Sequence, residues 1–160
     1  MRAAVLTVSD RVSAGEADDG SGDLLETLLR ADGFEVSRRC VPDETAEITA
    51  ALVALAASCP LVLTTGGTGV APRDVTPEAT RAMLEREVPG IPEALRAASL
   101  AKTPHGMLSR GVAGVVGTTL VINLAGSPGA CEDGYTILAP AVPHALALLL
   151  DAGRDADHGV

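Results

Sequence analysis

Residues 61–78 read LVLTTGGTGVAPRDVTPE, an apolar run that passes into a glycine-rich turn and then into a helix start. The apolar, partly β-branched residues 61–63 follow Pro60 and predict a buried central strand. Three glycines within four residues allow positive φ angles after that strand, so several backbone N–H groups can point at one anion. In an open α/β sheet, phosphates bind at this carboxyl end of a strand. The stretch therefore predicts a phosphate-binding turn at the edge of a sheet.

Charged and capping residues follow the turn. Arg73 can neutralise a phosphate, and Asp74 offers a hard oxygen ligand for Mg²⁺. Thr76 has the character of an N-cap, with Pro77 at the first helical position and Glu78 in the first turn. The alternative is a plain strand-to-helix connection in which Asp74 only hydrogen-bonds the turn.

Length and composition predict one domain with no nucleic-acid or membrane partner. With 160 residues, 47% of them hydrophobic, the chain can bury one sizeable core, which we place over residues 1–153 with a disordered polar tail at 154–160. The net charge is −9 and one lysine accompanies eleven arginines, so there is no basic stripe for nucleic acid or an anionic membrane. A bound phosphate must then be held locally, by amides, a few arginines and a divalent cation.

The cysteines and the N-terminus predict a cytoplasmic protein. Cys40, Cys59 and Cys131 are odd in number, widely spaced and free of any C-x-x-C pattern, which favours buried thiols in a reducing compartment. The apolar part of the N-terminus is too short for a signal peptide, and no run reaches membrane-spanning length without proline or charge.

Strand and helix patterns alternate along the chain. The predicted strands cover residues 3–8, 34–40, 61–63 and 118–124. The predicted helices begin near residues 22, 48, 76, 91, 128 and 141; the third runs to about residue 87, the last is capped by Gly153, and residues 12–21 form a loop. Apolar strands that alternate with helices predict an α/β fold, a single doubly wound domain with a mostly parallel sheet covered by helices on both faces.

Polar residues also stand at the ends of the other predicted strands. They are Ser9, Asp10 and Arg11 after the first strand, Asp43 after the second, and Ser127 with Pro128 after the last. Such positions are site candidates because the carboxyl ends of parallel strands share one edge of the sheet. For Asp43 an alternative stays open, in which it is the N-cap of the following helix and Thr45 is a competing cap.

These residues together resemble the molybdopterin adenylyltransferase family of the MogA/MoaB type, which also forms the G domain of gephyrin-like proteins. The resemblance covers residues 3–150 and rests on several motifs in the family's order. They are Thr-Val-Ser-Asp-Arg at 7–11, Asp-Gly-Ser-Gly at 19–22, Val-Pro-Asp-Glu at 41–44, Thr-Thr-Gly-Gly-Thr-Gly at 64–69 with Arg-Asp-Val-Thr-Pro-Glu at 73–78, Met-Leu-Ser-Arg at 107–110, and Asn-Leu-Ala-Gly-Ser-Pro at 123–128. One position departs from the family, since Ala125 stands where a proline is usual; this predicts a looser loop rather than a lost site.

The resemblance implies a doubly wound α/β domain, commonly a homotrimer or a dimer of trimers, that works in molybdenum cofactor synthesis. It implies Mg²⁺-dependent transfer of an adenylyl group from ATP to molybdopterin, giving adenylyl-molybdopterin and pyrophosphate, with a downstream molybdate-inserting enzyme as a partner. Asp43 and Asp74 would form the acidic pair at the metal and reaction centre. The nucleotide would contact Thr65, Gly66, Gly67, Thr68, Gly69 and Arg73, and the molybdopterin would contact Ser9, Asp10, Arg11, Ser109, Asn123, Gly126 and Ser127.

Two other functions stay open on the sequence. A paralogue in this family could bind the pterin without adenylylating it, but such a protein would not need to keep Asp43 and Asp74. A nucleotide pyrophosphatase on the related fold would hydrolyse a dinucleotide instead. The Ser-Asp-Arg and Met-Leu-Ser-Arg motifs favour the pterin enzyme.

Overall fold

A six-stranded sheet organises the chain in the computed structural model, which describes residues 1–157, with side chains as far as Asp151. Its strands are β1 (Arg2–Val8), β2 (Glu35–Val41), β3 (Leu61–Thr65), β4 (Arg86–Glu87), β5 (Ala113–Val116) and β6 (Thr119–Leu124). Their order across the sheet is β2-β1-β3-β6-β5-β4. The pairs β2-β1, β1-β3 and β3-β6 are parallel, whereas β5 runs antiparallel to both of its neighbours. The predicted mostly parallel sheet is confirmed, with an antiparallel element toward one edge.

Helices cover both faces of this sheet. They are α1 (Asp10–Ser13), α2 (Gly20–Ala31), α3 (Thr45–Ala56), α4 (Thr76–Arg81), α5 (Gly90–Leu100), α6 (Pro128–Leu138) and α7 (Val142–Asp157), together with a 3₁₀ helix at Pro104–Leu108. On one face α2, α6 and α7 pack against the sheet, and on the other α3 and α4 do. The doubly wound α/β prediction is confirmed.

The central strand β3 shows why an uninterrupted apolar run produces this arrangement. All five of its residues are buried. Leu61 and Leu63 pack in the core on the α2 side, while Val62 packs in the core on the α3 side, because successive side chains of a strand point to opposite faces. A strand that is apolar on both faces must lie in the middle of a covered sheet, and its carboxyl end places the glycine-rich turn at the sheet edge.

Two helix ends differ from the sequence prediction. Helix α4 ends at Arg81 rather than near residue 87, because Arg86–Glu87 forms β4 and pairs with Gly114 and Val115 of β5. Helix α7 continues past the predicted cap Gly153 to Asp157, and glycine inside a helix costs only about 1 kcal/mol relative to alanine. The tail predicted for residues 154–160 is thus helical as far as Asp157, and residues 158–160 lie outside the described part of the chain.

Three local predictions are also corrected. The predicted loop over residues 12–21 is shortened by α1 before it and by α2, which begins at Gly20. The N-cap position of α4 is Val75 and not Thr76, whose hydroxyl bonds elsewhere. Cys59 and Cys131 are buried as predicted, but Cys40 is exposed because it lies on the edge strand β2.

No single helix within residues 1–157 is both long and apolar enough to cross a membrane. Helix α6 and helix α7 up to Asp151 together have the length and composition of a membrane span, but the chain bends by 61° between them.

Candidate functional site

The turn after β3 has the conformation that its glycines predict. Gly66 has a φ of +96° and Gly67 a φ of +67°, which side chains rarely allow. A Cβ atom on Gly66 would collide with the carbonyl oxygen of Val8, and one on Gly67 would collide with the hydroxyl of Thr76. Both positions therefore require glycine for space as well as for backbone conformation.

Hydrogen bonds fix the carbonyl groups of this turn and leave amides available. Thr76 Oγ1 donates to the carbonyl oxygen of Gly66 over 2.9 Å, and the Thr76 amide donates to that of Gly67 over 3.1 Å. Within the described residues, the amides of Gly67, Thr68 and Gly69 donate to no protein acceptor. The hydroxyl of Thr65 is engaged below the turn, where it donates to Ala125 O over 2.8 Å.

Carboxylates from two other strand ends meet beside the turn. The Asp10 amide donates to Asp43 Oδ2 over 2.9 Å, and the Asp43 amide donates to Asp10 Oδ1 over 3.0 Å. This reciprocal pair joins the ends of β1 and β2. The alternative of Asp43 as a helix cap is wrong, because Glu44 holds the N-cap position of α3 and makes no side-chain capping bond; Thr45 is already inside the helix.

Arg73 connects the turn to these carboxylates. Its Nε donates to Asp10 Oδ2 over 2.6 Å and its Nη2 to Asp10 Oδ1 over 3.0 Å, a two-pronged pairing. The same Nη2 donates to Glu44 Oε1 over 2.9 Å. The side chain of Arg73 remains 56% exposed, so it can exchange a carboxylate for another anion without leaving the sheet edge.

Asp74 has both a local bond and a longer-range effect. Its Oδ2 accepts a hydrogen bond from the Ala71 amide over 3.0 Å, so Asp74 does bond the turn, as the alternative interpretation required. Its charge also reaches Asp43: burial raises the pKa of Asp43, and the negative charges of Asp10 and Asp74 raise it further. In contrast, the hydrogen bonds from Arg73 lower the pKa of Asp10. Of Asp10 and Asp43, Asp43 is therefore the one whose surroundings disfavour the negative charge.

The metal-ligating groups at this edge are few. Among residues 1–151, whose side chains the structure describes, no cluster of three or more histidine, cysteine, aspartate and glutamate side chains is arranged to hold an ion. Asp43 and Asp74, the predicted metal ligands, lie near enough to each other that the negative charge of Asp74 raises the pKa of Asp43.

Five of the seven residues predicted to contact the pterin divide between two cavities that both reach the carboxyl end of β6. A cavity of about 260 Å³ between α5 and α6 is lined by Ser109, Asn123 and Ser127. A cavity of about 280 Å³ beside the start of α2 is lined by Ser9, Gly66 and Gly126. The remaining two, Asp10 and Arg11, line neither; Asp10 pairs with Arg73, and Arg11 is exposed on α1.

Three of these polar side chains are already engaged. Asn123 is buried; its Oδ1 accepts from the Val112 amide over 3.2 Å, and its Nδ2 donates to Thr64 Oγ1 and Thr80 Oγ1, each over 3.0 Å. This amide therefore ties β6 to its neighbours. Ser9 and Ser127 act as N-caps, since their hydroxyl oxygens accept from amides of α1 and α6.

Larger cavities lie away from this edge. One of about 570 Å³ is lined by Phe34 and Tyr135 and lies near the start of β2, at the amino ends of the parallel strands. It is mainly apolar and contains none of the residues that the sequence analysis predicted for the site. The carboxyl edge of the sheet, with its amides and charges, is the better candidate for binding an anionic substrate.

The sequence analysis assigned no role to Arg110. In the structure its side chain and its amide bond to backbone carbonyl groups of the turn. The only sequence signal for this residue is its place in the Met-Leu-Ser-Arg motif, which does not reveal its partners.

The chain is similar to known proteins over most of its length. The family model described as "Probable molybdopterin binding domain" matches residues 4–144. The chain is 44% identical over 159 residues to a molybdenum cofactor biosynthesis bifunctional protein of Synechococcus elongatus, covering 98% of this chain and 49% of that protein. It therefore spans about half the length of that relative. It is 42% identical over 138 residues to the molybdopterin adenylyltransferase of Escherichia coli, covering 83% of this chain and 71% of that protein.

A solved structure shows the same fold. The molybdopterin biosynthesis enzyme MoaB of Thermus thermophilus is 47% identical and superposes with a TM-score of 0.86, over 92% of this chain and 95% of that one.

Proposed function

The chain belongs to the molybdopterin-binding domain family, and on that premise we propose that it transfers an adenylyl group from ATP to molybdopterin. Relatives named molybdopterin adenylyltransferase are 38% to 42% identical to it over most of its length. The observation that carries the proposal is the glycine turn with positive φ at Gly66 and Gly67, beside the cluster of Asp10, Asp43 and Arg73.

The turn supplies the nucleotide contacts. We assign the phosphates of ATP to the amides of Gly67, Thr68 and Gly69, since a concave row of N–H groups at a strand end stabilises negative charge. Arg73 stands next to them and gives up part of its pairing with Asp10 and Glu44 to a phosphate. Thr65, also predicted to contact the nucleotide, precedes the turn, and its hydroxyl holds the turn against Ala125.

Asp43 and Asp74 would hold Mg²⁺. This ion prefers one or two protein carboxylates together with substrate phosphates and water, which fits a site with two acidic side chains. The raised pKa of Asp43, caused by burial and by neighbouring negative charge, is the electrostatic situation that a bound cation relieves. When bound, Mg²⁺ would supply charge neutralisation at the phosphates.

The reaction joins two anions. A terminal phosphate oxygen of molybdopterin attacks the α-phosphorus of ATP, and the bond from that phosphorus to the bridging oxygen of pyrophosphate breaks. The role of this chain is to bring the two phosphates together against their repulsion and to stabilise the charge that develops.

The pterin would lie in one of the two cavities beside the turn. A Cβ on Gly126 would approach the Cα of Gly66 to 3.1 Å, so the end of the last strand, which both cavities reach, packs directly against the turn. Ser109 is the strongest contact candidate at the first cavity, with Ser127 at its edge and Asn123 holding the strands behind them. Ser9 and Gly126 are the corresponding candidates at the second, with Asp10 and Arg11 beside it.

The assembly and location belong to the proposal too. We infer a homotrimer or a dimer of trimers in the cytoplasm, with product delivery to a downstream molybdate-inserting enzyme.

Pyrophosphate release from ATP, measured with and without molybdopterin, tests the proposed function. Release that requires molybdopterin supports adenylyl transfer. Molybdopterin binding without release would show a binding protein, and nucleotide hydrolysis without molybdopterin would show a pyrophosphatase.

A further inference from the structure

Arg110 follows the 3₁₀ helix and makes four contacts with residues 68–78, the stretch that includes Arg73 and Asp74. Its amide donates to Thr68 O over 2.8 Å. Its Nε donates to Gly69 O over 2.7 Å, its Nη2 donates to Asp74 O over 2.6 Å, and its Nη1 pairs with Glu78.

Two of these bonds reach the two ends of one exposed segment. Residues 70–73 are all exposed, so no apolar core holds them in place. Gly69 and Asp74 flank these residues, and one guanidinium binds the carbonyl oxygen of each. A bond at both ends reduces the freedom of the chain between them. One side chain therefore bridges the two ends of the segment, in addition to the bond within it from the Ala71 amide to Asp74 Oδ2.

The backbone on both sides of Arg110 is itself fixed by hydrogen bonds from Arg96. Arg96 of α5 donates from Nη1 to Ser109 O over 3.4 Å and to Gly111 O over 3.1 Å, on either side of Arg110. The backbone that presents Arg110 is thus attached to a helix of the domain, which makes it a fixed anchor for the turn.

The guanidinium shape accounts for this arrangement. Its N–H groups lie in one plane and point in fixed, divergent directions, so one side chain can reach two separate carbonyl oxygens, whereas a lysine ammonium acts as a point charge. The ion pair with Glu78 matters less, because the Glu78 side chain is 51% exposed and exposed pairs contribute little.

We propose that Arg110 is a positioning residue that closes the 69–74 segment and thereby holds Arg73 and Asp74 in place for the nucleotide. The part of this inference that concerns the nucleotide rests on the proposed adenylyl transfer. The part that concerns the closed segment rests on the hydrogen bonds alone, so the two can fail separately.

Hydrogen exchange measured by mass spectrometry tests the closed segment. Arg110→Ala should speed exchange of peptides covering residues 66–76 by about 10-fold to 100-fold, because two hydrogen bonds that oppose local opening are lost. Peptides covering β3 should exchange as in the unmodified protein. Arg81→Ala is the matched control, since Arg81 is an exposed arginine on α4 with one ion pair to Glu87.

Kinetics test the consequence for the site. Arg110→Ala should lower kcat/KM for ATP by about 100-fold, the effect expected when reacting groups are displaced by about 1 Å. The KM for ATP should rise while the KM for molybdopterin changes by less than about twofold, whereas a general loss of folded protein would lower the apparent kcat and leave both KM values unchanged. Arg110→Lys should fall between the two proteins, and Glu78→Gln should remain close to the unmodified one.

Several results would overturn the inference. Unchanged exchange of residues 66–76 in Arg110→Ala, or the same acceleration in Arg81→Ala, would show that Arg110 does not close the segment. Full activity of Arg110→Lys would show that charge and not the guanidinium shape matters, and this variant keeps the test decisive if Arg110→Ala does not fold. If Arg110→Ala speeds exchange of the segment but leaves the kinetics for ATP unchanged, then Arg110 closes the segment without positioning Arg73 and Asp74 for the nucleotide. If the unmodified protein transfers no adenylyl group, the proposed function fails, while the exchange result still decides the role of Arg110.

Discussion

Replacing Gly67 by alanine tests whether the turn is a binding site or only a connection. The φ of Gly67 is +67°, and a left-handed conformation costs a non-glycine residue about 1–2 kcal/mol. The added Cβ would also collide with Thr76 Oγ1 and break its 2.9 Å bond to Gly66 O, which is worth about 0.5–1.5 kcal/mol. Together the free energy of unfolding should fall by about 2–3 kcal/mol. For a chain of this size that lowers Tm by about 4–12 °C.

Gly33→Ala separates backbone strain from damage to the site. Gly33 has a φ of +86°, but a Cβ there would meet no atom within 4 Å. Alanine at this position should cost only the strain of about 1–2 kcal/mol. Thermal unfolding of the two variants, measured side by side, therefore isolates the part of the loss that comes from Thr76.

Binding of ATP decides the functional question. In Gly67→Ala the new Cβ would also lie 3.1 Å from Asp43 Oδ1, between the turn and the acidic cluster. We expect the Kd for ATP, measured by calorimetry with Mg²⁺, to rise by about 10-fold to 100-fold, as for the loss of a charge-assisted hydrogen bond. Gly33→Ala should bind ATP normally. If Gly67→Ala melts lower yet binds ATP as tightly as the unmodified protein, the turn is structural and the assignment of the phosphates is wrong.

Three further outcomes follow from the acidic residues and the charge of the chain. Asp43→Asn and Asp74→Asn should each reduce pyrophosphate release by about 10²–10³ while molybdopterin still binds, and the double variant should be little worse than either, since both act at one centre; a fully active Asp43→Asn protein ends the shared-metal proposal. Excess chelator should weaken ATP binding in calorimetry, because a chain of net charge −9 has little positive charge to offset a triphosphate; equal affinity would place that task on Arg73 and the turn. In a profile of kcat/KM against pH, which reports groups of the free enzyme, the rate should fall as the pH drops and Asp43 becomes protonated. Burial and neighbouring negative charge raise the pKa of Asp43, so this fall should begin at a higher pH than for an ordinary aspartate. Asp10→Asn removes one of those charges and should move this acid limb to lower pH; an unmoved limb would assign it to another group.

Much of the fold follows from local sequence. The apolar run of β3, the glycines after it and Pro128 at the start of α6 act on residues close to them in the chain, so their patterns predict the elements directly. Errors arose where a distant partner outweighed a local preference. Thr76 looked like a helix cap, but its hydroxyl donates to Gly66 O ten residues earlier, where the turn needs it. The sequence predicts that residues 86–87 continue a helix, but they pair with β5 as a strand.

The features of the candidate site also fall into two groups, those that the local sequence predicts and those that depend on distant partners. The sequence alone determined that Asp43 and Asp74 follow strands, and that Gly66 and Gly67 need a backbone without side chains, because such properties depend on neighbours along the chain. The structure alone decided that Asp10 exchanges bonds with Asp43 and takes Arg73 as its partner, 33 and 63 residues away in the chain.

The hydrogen-bond partners of Asn123 and Arg110 could not be predicted from the local sequence. A single amide and a single guanidinium carry no periodicity, so their partners depend on which strand ends and turns the packed sheet brings within about 3 Å. Asn123, predicted to contact the pterin, lines one cavity and is bonded to Thr64 and Thr80, whereas Arg110, for which no role was predicted, is bonded to both ends of the 69–74 segment. Local patterns determine which elements form, and the order and register of the parallel strands determine which side chains meet at their carboxyl ends.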